Sequence, residues 1–225
     1  CTWAYISETG DWAILDHPTP FDNVPGSEVP LLEHVRRSVN FTIRNRGPHG
    51  LPLIGRADWN DCLNLNCFSA EPGESFQTYN NKEMFTEPPF YSQVAESVMI
   101  AGMFCAIAPE YVEMCKIKGD TAEAEKAVTE IEKMRKATEE FGYDGEWFLR
   151  AYDHNGNKVG SNECEEGKIF IEPQGWCVMA GLGKDKGYDI ATLNSVDKYL
   201  NSQHGLVLNN PAFTTYKVEY GEIST

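Results

Sequence analysis

The sequence lacks several features that would place the protein in familiar functional classes. We expect no signal peptide, and no apolar run approaches the length of a membrane span. Lys and Arg number 19 against 34 Asp and Glu, and no basic stripe is present to neutralise phosphates. The histidines show no zinc spacing, and the P-loop, Rossmann and Gly-x-Ser-x-Gly motifs are missing. We therefore expect neither a nucleic acid, nor a membrane, nor a metal as a partner.

The composition is that of an ordered globular protein. The chain has 225 residues, of which 41% are hydrophobic and 12% aromatic, enough for a substantial core. The 7 cysteines are odd in number and irregularly spaced, which favours reduced thiols in a cytoplasmic protein. The chain opens on Cys1 without an initiator methionine and closes at Thr225 without an obvious stop signal. We expect a fragment of something longer.

Apolar residues recur at helical spacing along most of the chain, which predicts an all-α fold. The predicted helices cover residues 27–46, 90–108, 121–141, 174–182 and 190–201. Pro109 should end or kink the second of these, and residues 111–118 should continue helically. In the helix over residues 121–141, Val128, Ile131, Met134 and Ala137 should point inward. Between residues 147 and 159 the alternation is that of a small β-hairpin, with Asn155-Gly156 as a type I′ turn. Alternating buried and charged helices fit helical hairpins in a layered or toroidal bundle.

The most informative motif is the run from Arg56 to Asp61, which follows a Gly/Pro-rich loop. It joins an arginine, the indole of Trp59 and two carboxylates, Asp58 and Asp61. A site that cleaves sugars needs a carboxylic acid for the leaving oxygen, an aromatic face for the ring and polar groups for the hydroxyls. With Asp58 ionised at a helix start, Asp61 is the better general acid. The alternative is that both aspartates cap a helix and Trp59 belongs to the core.

A second candidate motif is Glu172-Pro173-Gln174-Gly175-Trp176, which again joins a carboxylate, an amide and an indole. Proline is favoured in the first turn of a helix, and tryptophan is a common core residue. Gln174 is therefore either a polar contact for a sugar or part of an ordinary helix start.

Residues 55–64 resemble the signature of the inverting β-glycoside phosphorylases of glycoside hydrolase family 94, most closely the cellobiose phosphorylases. The segments 172–176 and 216–222 also resemble that family, and the resemblance extends over essentially the whole chain. It implies that residues 1–225 are the central part of an (α/α)6 barrel. The family's N-terminal β-sandwich and C-terminal segment are not evident in the sequence.

The resemblance also implies the chemistry and its residues. Asp61 would be the general acid and Trp59 would shape the donor-glucose site, with further substrate-binding neighbours at Arg56, Asp58, Gln174, Glu219 and Tyr220. Cellobiose-specific members convert cellobiose and phosphate to α-glucose 1-phosphate and glucose with inversion. Inorganic phosphate is a co-substrate and no cofactor is needed. The phosphate-binding residues would lie beyond Thr225, so we expect these residues alone to be inactive, and the full-length protein to be a homodimer.

Two other functions remain open at this point. An inverting glycoside hydrolase on the same fold would need a base carboxylate about 6.5–9.5 Å from the acid, with Glu172 and Glu219 as candidates. A non-catalytic helical scaffold that binds carbohydrate would retain its function after Asp61→Asn.

Overall fold

The computed structural model describes residues 1–54, 94–215 and 217. Their α-helices are α1 (Thr2–Thr9), α2 (Leu31–Arg44), α3 (Val98–Ile117), α4 (Thr121–Phe141), α5 (Ile171–Met179) and α6 (Tyr188–Tyr199). Their strands are β1 (Pro18–Thr19), β2 (Val29–Pro30), β3 (Glu96–Ser97), β4 (Ala151–Tyr152), β5 (Lys158–Val159), β6 (Ile169–Phe170), β7 (Asn201–Ser202), β8 (Gly205–Leu206) and β9 (Asn209–Asn210). Each strand is only two residues long, so the prediction of a mainly helical chain is confirmed.

The described residues form two compact units, and each has its own buried side chains. The first unit comprises Cys1–Arg44 with Ile107–Glu132, and the second comprises Asn45–Ala106 with Lys133–Thr225. In the first unit, Arg36 of α2 pairs with Asp120 at 2.7 Å, just before α4. In the second unit, α5 packs against α6.

Helix α4 has the predicted bounds, and its start has the predicted cap. The N–H of Glu123 donates to Oδ1 of Asp120 at 3.2 Å, which satisfies one of the free amides of the first turn. Ile131 and Met134 are buried as predicted, whereas Val128 is 48% exposed and Ala124 and Ala127 are buried instead. Small alanines thus carry the buried face of the first half, where the sequence pattern suggested a larger side chain.

Helix α3 starts later than predicted and continues through Pro109. Residues 96–97 are extended because they pair with Ala151–Tyr152 of β4, so the helix begins only at Val98. By length and composition, α3 is also long and apolar enough to cross a membrane, contrary to expectation. However, 56% of its apolar window is buried inside the protein, which is typical of a core helix.

The predicted hairpin is present, but its turn is different. Strands β4 and β5 pair antiparallel, with Tyr152 opposite Lys158. Asn155 does not have the positive φ that a type I′ turn requires, whereas Gly156 has φ 81°. The buried carboxylate of Asp153 organises this loop instead, because it accepts the N–H groups of Asn155 and Asn157, each at 2.8 Å.

The remaining helices also shift from their predicted positions. α2 begins at Leu31 because the two preceding residues pair with β1. α5 and α6 begin three and two residues earlier than predicted, at Ile171 and Tyr188. Of the apolar residues of α6, Leu193 is half exposed, whereas Val196 packs in a cluster with Trp147.

Candidate active site

Most of the predicted site lies outside the described residues. Arg56, Asp58, Trp59 and Asp61 fall within residues 55–93, and Glu219 and Tyr220 fall within residues 218–225. Their assignments remain predictions. The described part of the chain contains Gln174 and Glu172, together with the residues that border residues 55–93.

The chain on either side of residues 55–93 forms an antiparallel backbone pair, here called the neck (residues 52–54 and 95–97). The N–H of Ile54 donates to the carbonyl of Ala95 at 3.0 Å, and that of Ser97 donates to the carbonyl of Pro52 at 2.8 Å. Leu53 lies opposite Glu96 in the same pairing. The neck therefore fixes where residues 55–93 leave the described structure and where they return to it.

Glu96 is fully buried at the neck, and its carboxylate holds the preceding loop, residues 47–51. Oε1 accepts the N–H groups of His49 at 3.1 Å and Leu51 at 3.0 Å, and Oε2 lies 2.5 Å from Nδ1 of His49. A Cβ at Gly47 would lie 2.5 Å from Cγ of Glu96, so only glycine fits this close approach. Burial raises the pKa of Glu96, while its hydrogen bond to His49 opposes the rise.

The imidazole of His49 is itself held between aromatic side chains. It stacks on Tyr152, with ring centroids 4.0 Å apart, and contacts Phe141 at a centroid distance of 5.1 Å. The hydroxyl of Tyr152 in turn donates to the carbonyl of Phe141 at 2.7 Å. No local pattern predicts the pair of His49 and Glu96, because the two residues are 47 positions apart in the sequence.

Gln174 is buried in α5, and its side chain is fully engaged with the main chain. Oε1 accepts the N–H of Phe148 at 2.8 Å, and Nε2 donates to the carbonyls of Phe148 and Phe170, both at 2.8 Å. An amide NH₂ has two donors, and both are used. In this geometry only the second lone pair of Oε1 remains for a sugar hydroxyl.

Glu172, a candidate hydrolytic base, lies in the first turn of α5 beside a fully buried arginine. Its Oε1 is 4.0 Å from Nε of Arg150. Both carboxylate oxygens are shielded from solvent and accept no hydrogen bond within residues 1–54, 94–215 and 217. A base for hydrolysis has to contact a water molecule, whereas solvent reaches neither oxygen of the Glu172 carboxylate.

The chain that leads toward Glu219 and Tyr220 is fixed by Glu166. Its Oε1 accepts the hydroxyl of Thr214 at 2.6 Å, and its Oε2 pairs with the ammonium of Lys217 at 3.0 Å. These hydrogen bonds lower the pKa of Glu166. Among the described residues, no group of three His, Cys, Asp or Glu side chains is arranged to hold a metal ion.

Three characterised relatives are similar to nearly the whole chain. A solabiose phosphorylase of Paenibacillus borealis is 29% identical over 222 residues, which cover 98% of this chain and 26% of that protein. An N,N'-diacetylchitobiose phosphorylase of Vibrio proteolyticus is 27% identical over 222 residues (98% and 24%). A cellobionic acid phosphorylase of Neurospora crassa is 24% identical over 230 residues (100% and 26%). The chain thus spans about a quarter of the length of these relatives.

The match to a family profile is equally extensive. Residues 1–225 match the profile described as Glycosyl hydrolase 94 superfamily, catalytic domain. Together with the relatives, which are disaccharide phosphorylases, this match confirms the resemblance found in residues 55–64. The chain belongs to the catalytic domain of the glycosyl hydrolase 94 superfamily.

Proposed function

We propose that these residues are part of an inverting disaccharide phosphorylase with Asp61 as its general acid. The observation that carries the proposal is the family match over residues 1–225, together with three relatives that are each named as disaccharide phosphorylases. The chain would be the central part of an (α/α)6 barrel, completed by residues outside it. The enzyme would be a cytoplasmic homodimer that requires no cofactor.

In the proposed reaction, one proton and one nucleophile suffice. Asp61 donates its proton to the glycosidic oxygen as the bond from that oxygen to the anomeric carbon breaks. A phosphate oxygen attacks the anomeric carbon from the opposite face, which gives an α-glycosyl phosphate with inversion. Because phosphate is already a competent nucleophile, no second carboxylate is needed as a base. In the reverse direction the Asp61 carboxylate accepts the proton of the acceptor hydroxyl.

The proposed substrate is cellobiose, with α-glucose 1-phosphate and glucose as products. The resemblance of residues 55–64 to the cellobiose-specific members of the family supports this choice. The phosphate site would lie in residues beyond Thr225, so residues 1–225 alone should not catalyse phosphorolysis.

The test uses the full-length protein that contains this chain. Cellobiose, N,N'-diacetylchitobiose, cellobionic acid and solabiose are each incubated with and without phosphate, and the sugar phosphate and its anomer are followed by NMR. We expect phosphate-dependent formation of α-glucose 1-phosphate from cellobiose. Free glucose alone, formed equally well without phosphate, would identify a hydrolase. A better rate with another disaccharide would replace cellobiose and leave the reaction type in place.

The role of Asp61 is tested with Asp61→Asn, and Asp185→Asn serves as the matched control because Asp185 is exposed. Loss of the acid should reduce kcat by about 10²-fold or more on the disaccharide. The loss should be much smaller on 2,4-dinitrophenyl β-glucoside, since dinitrophenolate departs without a proton. Unchanged activity of Asp61→Asn, with sugar binding intact, would favour the non-catalytic scaffold.

A further inference from the structure

We propose that Glu96, together with His49, is a positioning residue for the segment that carries the acid Asp61. This inference rests on the proposed function, but its evidence lies in described residues. Glu96 sits in the neck, which the chain leaves at Ile54 and re-enters at Ala95. Asp61 follows Ile54 by seven residues in the sequence, so the neck holds the point from which the segment with the acid begins.

The carboxylate of Glu96 joins the neck to the loop before it. It binds two backbone N–H groups of that loop, at His49 and Leu51, as well as the His49 ring. Leu51 is itself fully buried and directly precedes the first arm of the neck. Glu96 of the second arm is therefore tied to the residue directly before the first arm, in addition to the backbone hydrogen bonds between the arms.

The type of side chain argues for a role beyond closing a loop. Taking a carboxylate out of water is costly, and apolar packing or a backbone turn would close the same loop at a lower cost. A buried carboxylate with several charge-assisted hydrogen bonds instead fixes the direction of each N–H group. Rigid support of this kind is what a reacting group needs, because a displacement of about 1 Å can cost about 10²-fold in rate.

The chain offers a matched control in Asp153. This residue is also fully buried, and its carboxylate also accepts N–H bonds from a loop, at Asn155 and Asn157. That loop joins β4 to β5 and does not border residues 55–93. Tyr152, which precedes Asp153, pairs with Glu96, but the hydrogen bonds of the Asp153 carboxylate run to its own loop. Asp153→Asn should therefore perturb a comparable local network while leaving the hydrogen bonds of Glu96 in place.

The experiment compares Glu96→Gln, Glu96→Ala and Asp153→Asn in the full-length protein, on the disaccharide that the wild type cleaves fastest. For each variant we measure kcat, KM and the thermal midpoint of unfolding. Titration calorimetry gives the Kd of the disaccharide and the number of binding sites per protein molecule. Glu96→Gln should lower kcat per site by roughly 10- to 100-fold while Kd changes less than about threefold. Glu96→Ala should lower kcat further, so that Gln acts as a partial rescue. Asp153→Asn should retain the wild-type kcat per site.

Three results would contradict the proposal. Glu96→Gln could keep the wild-type kcat. Its loss of activity could be explained fully by a smaller number of binding sites per molecule. Its kcat could also fall no further than that of Asp153→Asn. If Asp61→Asn still loses activity in those cases, the proposed function stands and only the positioning role fails. If the wild type shows no phosphate-dependent cleavage, both proposals fail together.

Discussion

Replacing Gln174 separates a structural role from a sugar-binding one. Methionine has a similar length and volume but can replace none of the three hydrogen bonds of the carboxamide. The backbone N–H and C=O of Phe148 and the C=O of Phe170 would each lose a partner that now lies at 2.8 Å. Because these groups are buried, water cannot replace the carboxamide.

The expected cost of Gln174→Met follows from those three bonds. An abandoned buried polar group costs about 1–3 kcal/mol, so three of them, after some relaxation, should cost about 3–6 kcal/mol. We therefore expect the free energy of unfolding to fall by about this amount, measured by urea unfolding of the full-length protein.

Gln174→Glu adds a pH dependence with a definite sign. A neutral carboxyl can donate to one carbonyl while it accepts the N–H of Phe148, whereas a carboxylate can only accept. The pKa of this carboxyl in the folded protein should therefore rise above its unfolded value of about 4.3. Relative to Gln174→Met, the variant should be stabilised near pH 4 and lose this advantage as the pH rises, by at most about 1.4 kcal/mol per pH unit.

The opposite pattern of results would refute this reasoning. If Gln174→Met is as stable as the wild type but has a higher KM, the carboxamide binds the substrate and does not stabilise the backbone. Parallel stability curves for the Glu and Met variants between pH 4 and pH 7 would show that no proton is needed at this position.

Two further predictions concern stability alone. Gly160→Ala should destabilise the protein more than the control Gly145→Ala. Both glycines have positive φ, but only a Cβ at Gly160 would contact backbone, at 2.5 Å from N of Arg150. The control should cost roughly 1 kcal/mol of strain, and equal unfolding midpoints of the two variants would refute the clash. Burial favours a higher pKa for Glu139, but hydrogen bonds from Lys186 and from the N–H of Gly183 lower its pKa overall. The ionised carboxylate therefore stabilises the fold fully above its unfolded pKa. This contribution is lost as the pH falls through the pKa of the folded state. Glu139→Gln should thus be less stable than the wild type near pH 6 and approach it near pH 3, as followed by urea unfolding; a constant difference would contradict this.

Local signals in the sequence predicted some elements well. Asp120 and Glu123 have the spacing of a helix start, and the amphipathic pattern after them continues to Phe141, so α4 was predicted with its full bounds. The start of α3 was missed because the local pattern leaves open whether residues 96–97 continue the helix or pair as a strand. The structure resolves this ambiguity through the pairing of Glu96 with Tyr152, which is distant in sequence.

Pro109 shows how packing overrides a local rule. A proline inside a helix costs about 3 kcal/mol and usually breaks it. Buried residues on both sides of this proline, among them Ala108, Tyr111 and Val112, recover more than this by staying helical. The helix therefore continues to Ile117.

The candidate site was predictable in residue type more than in arrangement. The sequence singled out Gln174 as polar and near a helix start, but it could not tell whether the carboxamide binds a ligand or its own backbone. Glu96 and Arg150 were missed because their contacts are made with residues far away along the chain. No local pattern carries that information.

The pairing of Ile54 with Ala95 has an evolutionary consequence. Whatever lies between two hydrogen-bonded stems begins and ends about 4.8 Å apart, so its length and content can change while the scaffold stays in place. Doubling such an insert adds only about 0.6 kcal/mol of closure entropy. Changes of length between the stems should thus be tolerated during evolution as long as the two stems stay hydrogen-bonded to each other.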